Sequence, residues 1–375
     1  MTTDTRSVRP GEELDAARLQ TYLESRSVGD GDVAIEQFPA GSSNLTYLVR
    51  LGPEEYVLRR PPFGNAVKSA HDMRREFDVL AKLSAVYRPA PKPILFCDDA
   101  SVIGSEFYLM ERRRGLILRG TTGQHQLRER EGSSNSVNTN RVSPPTAETL
   151  DHSQEFRLEV AKSFIQNLAD LHALDYEAAG LESLGRPDGY ARRQVEGWTK
   201  RYFAAKTHEH ADLESVIAWL NAHIPAETGA SLVHNDYKFD NVMLDPDDLT
   251  RITAVLDWEM VTVGDPLMDL GTTLGYWMDK DAGDRMLDMP FNPRVLMENI
   301  SRRELAEMYS ELSGRDVANI LYYYVFGTFK IAVIAQQIYA RFAKGFTADP
   351  RFARFDAFVA ALGAIAARAV ERGTL

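Results

Sequence analysis

Residues 234 to 241 read His234-Asn235-Asp236-Tyr237-Lys238-Phe239-Asp240-Asn241, and this stretch decides how the rest of the chain is interpreted. It fits the pattern His-x-Asp-x-x-x-x-Asn, which places an amide a fixed distance after a carboxylate. In such a loop the carboxylate of Asp236 can accept a proton from a hydroxyl group, and the amide oxygen of Asn241 is a ligand that suits magnesium. The stretch therefore predicts a loop that prepares a hydroxyl for reaction beside a bound metal.

A second acidic residue follows at the spacing that this chemistry requires. The apolar run Ile252 to Leu256 predicts a short strand, and it leads into Asp257-Trp258-Glu259, where kinases carry Asp-Phe-Gly. We therefore predict Asn241 and Asp257 as magnesium ligands and Asp236 as the catalytic base. Lys238 is predicted to stabilise the charge of a transferred phosphoryl group, with a surface lysine as the alternative.

Composition limits the class of protein and its partners. The chain has 375 residues, 44% of them hydrophobic, and a formal net charge of -11, which disfavours binding to nucleic acid or anionic membranes. The single cysteine, Cys97, can form no internal disulfide, and the N-terminal residues lack the apolar core of a signal peptide. The apolar stretch Ile320 to Phe342 contains Lys330, so a buried helix is predicted there and not a membrane span. These features predict a cytoplasmic protein and leave its oligomeric state open.

The N-terminal third has the pattern of an antiparallel sheet. Short β-type runs occupy Val33 to Phe38, Leu45 to Leu51 and Tyr56 to Arg60, with turn residues between them. The first turn contains Ser42, Ser43 and Asn44. Small polar residues at a hairpin tip can bring N–H and hydroxyl groups close to phosphate oxygens, so these three are predicted to contact a nucleotide. An ordinary turn is the alternative.

The third strand and the following helix predict an ion pair. Tyr56-Val57-Leu58-Arg59 has the form of the kinase strand Val-Ala-Ile-Lys, with Arg59 at the position of the lysine. Residues 71 to 84 have helical periodicity and carry Glu76, the predicted partner of Arg59 on the phosphate side of the site. Arg60 competes with Arg59 for this role.

Further strands are predicted at Ile94 to Cys97 and Glu106 to Glu111. The second ends in Met110-Glu111, the predicted hinge, whose backbone groups would bind an adenine edge. The polar residues 119 to 147 predict a mobile loop with no assigned chemistry. His172 is interpreted as a hydrogen-bonded core residue, and Asp269 is predicted to accept backbone hydrogen bonds from the catalytic loop.

Helical patterns dominate the rest of the chain. They cover the following ranges: 156 to 171, 190 to 206, 213 to 223, 301 to 312, 316 to 343 and 351 to 372. The predicted fold class is therefore α+β, with two lobes. Residues 1–111 form an N-terminal nucleotide-binding lobe, an antiparallel sheet with one main helix, and residues 112–375 form a mostly helical lobe with the catalytic loop and acceptor site.

Taken together, HNDYKFDN, the Asp257-Trp258-Glu259 step and GDPLMDLG resemble the aminoglycoside phosphotransferase and choline kinase family, which has a protein-kinase-like fold. SSNLTYLV, YVLRRPP and FYLMER are most similar to the kinase-like domains fused to some acyl-CoA dehydrogenases. The resemblance implies the same roles as above, including Ser42, Ser43 and Asn44 over the phosphates and Met110 and Glu111 at the adenine. The chain departs from it in Arg59, in Trp258-Glu259 and in Asn235, where glycine is common.

Two classes of function are consistent with these patterns. The leading hypothesis is an ATP- and Mg²⁺-dependent kinase that phosphorylates a hydroxyl of a small molecule; the alternative is a nucleotide-binding pseudokinase or regulatory module. The clues to the identity of the acceptor conflict with one another. Local acids, Asp279, Asp281, Asp284 and Asp288, suit an aminoglycoside or amino alcohol, whereas the basic stretch 192 to 201 suits an anionic or hydroxyacyl compound, which the resemblance favours.

Overall fold

The computed structural model describes residues 4–39, 44–63, 72–119, 154–289, 292–347 and 349–375. The chain divides into two compact units. The first comprises Met1–Arg114 and Ala254–Glu259, and the second comprises Gly115–Thr253 and Met260–Leu375. The short segment that carries Asp257 therefore belongs to the first unit, although it follows the catalytic loop in sequence. The lobe boundary after residue 111 stays a prediction.

A five-stranded antiparallel sheet forms the centre of the first unit. Its strands are β1 (Val33–Gln37), β2 (Leu45–Leu51), β3 (Glu54–Arg60), β4 (Pro93–Cys97) and β5 (Phe107–Glu111), in the order β1-β2-β3-β5-β4. Arg59 lies opposite Thr46 on one side and Tyr108 on the other. This register places Arg59 in the middle of the sheet, where a side chain is held on both sides by its neighbours.

The helices of the first unit begin with aspartate N-caps. They are α1 (Ala16–Ser25), α2 (Met73–Leu83) and α3 (Ala100–Ile103). In α2 the carboxylate of Asp72 accepts a hydrogen bond from the N–H of Arg75, which satisfies one of the free amides of the first turn. The buried face of α2 contains Met73, Glu76, Val79, Leu80 and Leu83. Helical spacing thus puts Glu76 on the apolar side of this helix.

The second unit is mostly helical. Its helices are α4 (Gln154–His172), α5 (Tyr190–Ala205), α6 (Ala211–Ala222), α7 (Pro266–Tyr276), α8 (Asp284–Leu287), α9 (Arg294–Met297), α10 (Arg302–Ser313), α11 (Ile320–Ala343) and α12 (Phe355–Arg372). Strand β6 (Ser231–Val233) pairs with β9 (Thr262–Gly264), and β7 (Val242–Leu244) pairs with β8 (Ile252–Val255). The catalytic loop follows β6 directly. It is thus anchored at its start by a buried strand.

Helices α7 and α11 approach each other unusually closely, and two glycines permit this. A Cβ on Gly271 would lie 2.1 Å from the carbonyl oxygen of Tyr323, and one on Gly327 would lie 2.1 Å from the carbonyl oxygen of Gly271. Real Cβ atoms do not come so close, so any side chain at either position would force the helices apart. Within the described ranges, no helix is both long enough and apolar enough to cross a membrane.

The predicted elements agree with the described ones to within a few residues. The largest differences are at the starts of α11 and α12, where the patterns began four residues early. The predicted mobile loop lies outside the described residues except for Arg119, whose guanidinium contacts the carboxylate of Asp240. Ser42 and Ser43 also lie outside the described residues.

Candidate active site

The catalytic loop is held from behind by a buried carboxylate. Asp269, in the first turn of α7, accepts hydrogen bonds from the backbone N–H groups of His234 and Asn235 at 2.6 and 2.7 Å. Its third contact is the Nε2 atom of His172, 3.2 Å away. Burial opposes the charge of Asp269, but His172, His234 and Lys330 together outweigh it and lower the pKa of Asp269 below its usual value. The predicted bonds from Asp269 to the loop are present, and His172 is a hydrogen-bonded core residue.

The carboxylate of Asp236 is surrounded by donors. Its Oδ2 atom accepts hydrogen bonds from Lys238 Nζ and Asn241 Nδ2, both at 2.8 Å, and its Oδ1 atom accepts one from the hydroxyl of Tyr276 at 2.7 Å. Bonds to an ionised carboxylate are stronger than bonds between neutral groups. The loop therefore fixes Oδ2 of Asp236, and helix α7 fixes Oδ1 through Tyr276.

These donors also decide the ionisation of the loop. Burial raises the pKa of Asp236, but the charge and hydrogen bond of Lys238 and the hydrogen bond of Tyr276 lower it below its usual value. Burial disfavours the charge on Lys238, but Asp236 raises the pKa of that ammonium well above its ordinary value. Asp236 is thus an anion and Lys238 a cation at neutral pH. Lys238 is partly buried against Asp236 and is not a surface lysine.

Asn241 is oriented by the same carboxylate. Its Nδ2 atom donates to the backbone carbonyl of Asp236 at 2.9 Å as well as to Oδ2 of that residue. An amide nitrogen held by two acceptors leaves the amide oxygen on the other side of the group, available as a ligand. This is the orientation that a magnesium ligand at Asn241 requires.

In the first unit, Arg59 joins two acidic side chains. Its guanidinium lies 3.0 Å from Oε1 of Glu76 and 3.0 Å from Oδ1 of Asp257. Arg60 has other partners: it donates to the carbonyl oxygens of Pro61 and Ile103, so its contacts are structural. The structure therefore pairs Glu76 with Arg59 and not with Arg60.

The electrostatics of this triad favour a charged arginine. Burial disfavours the charge of Arg59, but Glu76 and Asp257 hold its pKa above the ordinary value. Burial raises the pKa of Glu76, and the charge of Arg59 offsets part of that rise. Asp257 has φ +68°, a left-handed conformation that is uncommon for residues other than glycine and that is found at functional sites.

Some of the other groups that are predicted to contact the nucleotide make hydrogen bonds within the first unit. Asn44 is buried, and its Nδ2 atom donates to Oε2 of Glu259 at 3.0 Å. Arg75 donates to the carbonyl oxygen of Glu259 at 2.9 Å. At the predicted hinge, Met110 lies opposite Val57, and the N–H of Glu111 donates to the carbonyl oxygen of Lys92. That N–H is thus used inside the unit.

The donor chemistry of the proposed metal ligands fits magnesium. The amide oxygen of Asn241 and the carboxylate of Asp257 are both hard oxygen donors, the kind that Mg²⁺ prefers. Arg59 contacts one oxygen of Asp257. Among the described residues, no group of three or more His, Cys, Asp and Glu side chains is arranged to hold a metal.

The sequence patterns missed three side chains at the catalytic loop: Tyr276, Lys330 and Tyr190. Tyr276 contacts Asp236, while Lys330 Nζ donates to the backbone carbonyl of Asn235 at 2.5 Å and the Tyr190 hydroxyl contacts the Asn235 side chain. Tyr276 and Tyr190 sit at ordinary core positions of their helices. Of these three residues, only Lys330 stands out in the sequence, because it is a charged residue inside an apolar helix.

Known proteins match most of the length of this chain. The model of the phosphotransferase enzyme family (APH) matches residues 34–133 and 144–292. Acyl-CoA dehydrogenase family member 11 of Rattus norvegicus is 34% identical over 358 residues, which are 92% of this chain and 42% of the relative. The chain therefore spans less than half the length of this curated relative.

Solved structures show the same fold. A crystal structure from Ralstonia eutropha JMP134, named for the aminoglycoside phosphotransferases, has a TM-score of 0.73 and 27% identity, and the match covers 96% of this chain and 99% of that one. A thermostable mutant of aminoglycoside phosphotransferase APH(4)-Ia, in complex with AMP-PNP and hygromycin B, has a TM-score of 0.51 and 15% identity, covering 95% and 99%.

These matches confirm the predicted α+β, protein-kinase-like fold and the prediction of an enzyme that transfers phosphoryl groups. The resemblance to kinase-like domains fused to acyl-CoA dehydrogenases is confirmed as well. With well over half its length matched by the family model, the chain belongs to the APH phosphotransferase enzyme family.

Proposed function

We propose that this chain transfers the γ-phosphoryl group of ATP, in a magnesium-dependent reaction, to a hydroxyl of a small anionic or hydroxyacyl compound. The observation that carries the proposal is the Asp236 carboxylate, held as an anion by Lys238, Asn241 and Tyr276 on a loop fixed by Asp269. A fixed anion is what a hydroxyl nucleophile needs for orientation and proton removal.

In the proposed reaction, the acceptor hydroxyl lies against Asp236. Its oxygen forms a bond to the γ-phosphorus, the bond from that phosphorus to the bridging oxygen breaks, and ADP leaves. The hydroxyl proton passes to Asp236. Lys238, whose ammonium lies beside Asp236, would stabilise the negative charge that spreads over the phosphoryl oxygens.

The nucleotide is assigned to the remaining predicted residues. Arg59, positioned by Glu76, is proposed to contact the phosphates, with Ser42, Ser43 and Asn44 covering them and the backbone near Met110 and Glu111 at the adenine. The neighbour solved with AMP-PNP supports a nucleotide cosubstrate, since its fold is the same. Asn241 and Asp257 would hold magnesium, which neutralises phosphate charge when bound.

The local acids do not offer a free pocket for a polycation. Asp279 lies 2.7 Å from Arg302, Asp281 lies 3.3 Å from Arg372, and Asp284 and Asp288 each lie 2.6 Å from Arg294. A carboxylate that already faces an arginine attracts a further cation less strongly. This weakens the case for an aminoglycoside or an amino alcohol.

The basic helix α5 retains exposed cations. Arg193 donates to the backbone carbonyls of Asp188 and Arg186, whereas Arg201 is exposed and packs over the ring of Trp198 at 4.5 Å. Arg201 is also close enough to Lys330, behind the catalytic loop, to lower the pKa of that lysine. We take this exposed cation of α5 as support for an anionic acceptor. The name of the curated relative, an acyl-CoA dehydrogenase family member, supports a hydroxyacyl compound.

A competition assay tests the acceptor class. The protein is incubated with ATP, Mg²⁺ and a mixture of anionic hydroxyacyl compounds, amino alcohols and aminoglycosides, and products are identified by the mass of one added phosphoryl group. We expect products only from the anionic class. Arg201→Ala should raise KM for that class at unchanged KM for ATP. Products only from the cationic compounds would contradict the proposed acceptor.

A pseudokinase is the rival, and the ion pair between Arg59 and Asp257 is the observation that favours it, because it occupies one oxygen of a proposed metal ligand. Magnesium-ATP binding without transfer to any acceptor would support the rival.

We also propose that the protein works in a reducing, cytoplasmic setting, which agrees with the buried thiol of Cys97. We propose no nucleic-acid partner for it.

A further inference from the structure

Lys330 is a buried cation that the proposed mechanism does not use. It lies in the middle of α11, a helix whose other residues are mostly apolar, and only 1% of its surface is exposed. Its Nζ atom donates to the backbone carbonyl of Asn235 at 2.5 Å and lies 3.4 Å from the side-chain oxygen of Asn235. The main contact of this ammonium is therefore with the backbone of the catalytic loop.

The contacted carbonyl belongs to the peptide bond that joins Asn235 to Asp236. The N–H of the same peptide bond donates to Nδ1 of His234 at 3.2 Å, so both sides of the peptide plane are held. The preceding N–H, that of Asn235, is held by Asp269. A buried anion on one side and a buried cation on the other thus fix the backbone immediately before Asp236.

This backbone needs to be held because its conformation is unfavourable. Asn235 has φ +66°, in the left-handed region that is strained for a residue with a side chain. The side chain of Asn235 adds contacts to the Tyr190 hydroxyl at 3.2 Å and to the carbonyl oxygen of Met260 at 3.1 Å. These partners hold the left-handed conformation against the extended one that most residues prefer.

We propose that Lys330 is a positioning residue for phosphoryl transfer, whose ammonium holds the Asn235 carbonyl and thereby orients the Asp236 carboxylate. The activity part of this inference rests on the proposed function. Burial of an ammonium among apolar side chains costs free energy, and an apolar residue of similar length usually stabilises a core at least as well. The contact of Lys330 with the loop accounts for a cation at this position.

Lys330→Met tests the proposal in the full-length chain. We expect kcat to fall at least 10-fold, with KM for ATP changed less than twofold and thermal stability equal or higher. Amide hydrogen exchange in a peptide covering residues 231–241, measured by mass spectrometry, should become at least 10-fold faster. Lys330→Arg, which keeps the charge, should restore part of kcat and of the protection.

Gln336→Met is the matched control. Gln336 is a buried polar residue of the same helix, and its amide nitrogen donates to the backbone carbonyl of Ala205 at 2.9 Å, away from the catalytic loop. The Gln336→Met variant should be less stable than wild type, with unchanged kcat and unchanged amide hydrogen exchange in residues 231–241.

Wild-type kcat and unchanged exchange in Lys330→Met would overturn the proposal. If that variant does not fold, Lys330→Gln, which keeps a donor without the charge, replaces it in the same measurements. Failure of both to fold would assign Lys330 to fold stability alone and would also overturn the proposal. The exchange measurement needs no substrate, so it decides the role of Lys330 in the loop even if the wild type transfers no phosphoryl group.

Discussion

In the part of the chain that the structure describes, three side chains donate to the carboxylate of Asp236, and of these Lys238 and Asn241 come from the loop motif itself. The third, Tyr276, ends helix α7, and its ring also lies 4.6 Å from the ammonium of Lys238. Tyr276 thus contacts both members of the ion pair that the proposed reaction uses. Its hydroxyl is one of the groups that keep the pKa of Asp236 low.

Tyr276→Phe should separate these two contacts, because phenylalanine keeps the ring and removes the donor. The partly buried carboxylate then loses a charge-assisted hydrogen bond, which lowers the free energy of unfolding by about 1–2 kcal/mol. We expect kcat to fall about 10-fold, since a hydrogen bond of that strength to the proposed catalytic base is lost. Denaturant titration and initial-rate kinetics measure the two effects. A variant with unchanged kcat would remove Tyr276 from the mechanism.

Because the pKa of Lys330 is lowered, we expect a rise in pH to have opposite effects on stability and on activity. Burial lowers the pKa of Lys330 to about 8, although Asp269 and Asp236 oppose that shift and Lys238 and Arg201 add to it. In the unfolded chain a lysine keeps its proton until a pH near 10. Between these values the unfolded state binds more protons than the folded state, so stability gains from Lys330 as the pH rises.

The measurement compares wild type with Lys330→Met across this range, which cancels the other titrating groups. From pH 8 to pH 9 the unfolding free energy of wild type should rise by about 1 kcal/mol relative to the variant. Over the same range kcat of wild type should fall, because the ammonium that holds the Asn235 carbonyl is lost. Stability and kcat that change in the same direction would contradict this account.

Among the helices, the crossing of α7 and α11 connects several parts of the catalytic loop. Helix α7 carries Asp269 and Tyr276, and α11 carries Lys330. Gly271 and Gly327 allow the two backbones to touch, so the spacing of the helices sets the spacing of the groups that hold the loop. We expect small changes at the crossing to affect activity more than stability alone would explain.

Gly327→Ala tests this expectation. Its new methyl group would lie 2.1 Å from the Gly271 carbonyl oxygen, so the helices must separate. We expect a loss of about 2–3 kcal/mol of stability from overpacking and a decrease in kcat that persists at temperatures where the variant is fully folded. Circular dichroism and initial rates measure these effects.

The control is Gly197→Ala in α5, where, among the described residues, no atom beyond the neighbouring residues and the helix's own backbone lies within 4 Å of the added methyl group. Because alanine favours helix more than glycine does, this variant should gain up to about 1 kcal/mol of stability with unchanged kcat. If Gly327→Ala behaved like this control, the crossing would not matter for the loop.

Elements and motif residues could be predicted from the sequence because their signals are local. Helical spacing in α2 places Glu76 on the buried face, and the hydrophobic pattern of β3 places Arg59 in a strand. The contacts of Tyr276 and Lys330 could not be predicted, since they join the loop to residues 40 and 95 positions away. Packing of distant helices decides such contacts, and single-sequence periodicity does not encode it.

At the scale of the whole molecule, the acidic residues also have partners that the sequence pattern does not predict. Asp279, Asp281, Asp284 and Asp288 are local acids in the sequence, but arginines at positions 294, 302 and 372 face them. A cluster of like charges in sequence is therefore a poor guide to the field at a site once the chain is folded. The same holds for Arg193, whose donors are used by nearby backbone carbonyls.

Removal of magnesium should lower the free energy of unfolding of the whole chain, because it weakens the binding of magnesium-ATP to the folded state. Magnesium-ATP at 100 times its Kd should raise the free energy of unfolding by about 2.7 kcal/mol, because only the folded chain binds it. EDTA should abolish most of this gain, and Asn241→Ala should reduce it, if Asn241 and Asp257 hold the metal. Differential scanning calorimetry with and without chelator measures the effect. An equal gain from ATP in EDTA would contradict the magnesium assignment.

The most direct test of the central claim is the transfer of labelled γ-phosphoryl groups from ATP to a hydroxyl compound by wild type and by Asp236→Asn. The substitution keeps the size of the side chain and removes the charge that orients and deprotonates the acceptor. The account predicts labelled product with wild type and a rate lower by about 10²–10⁴-fold with Asp236→Asn, at similar affinity for magnesium-ATP. Equal rates in the two proteins would contradict it.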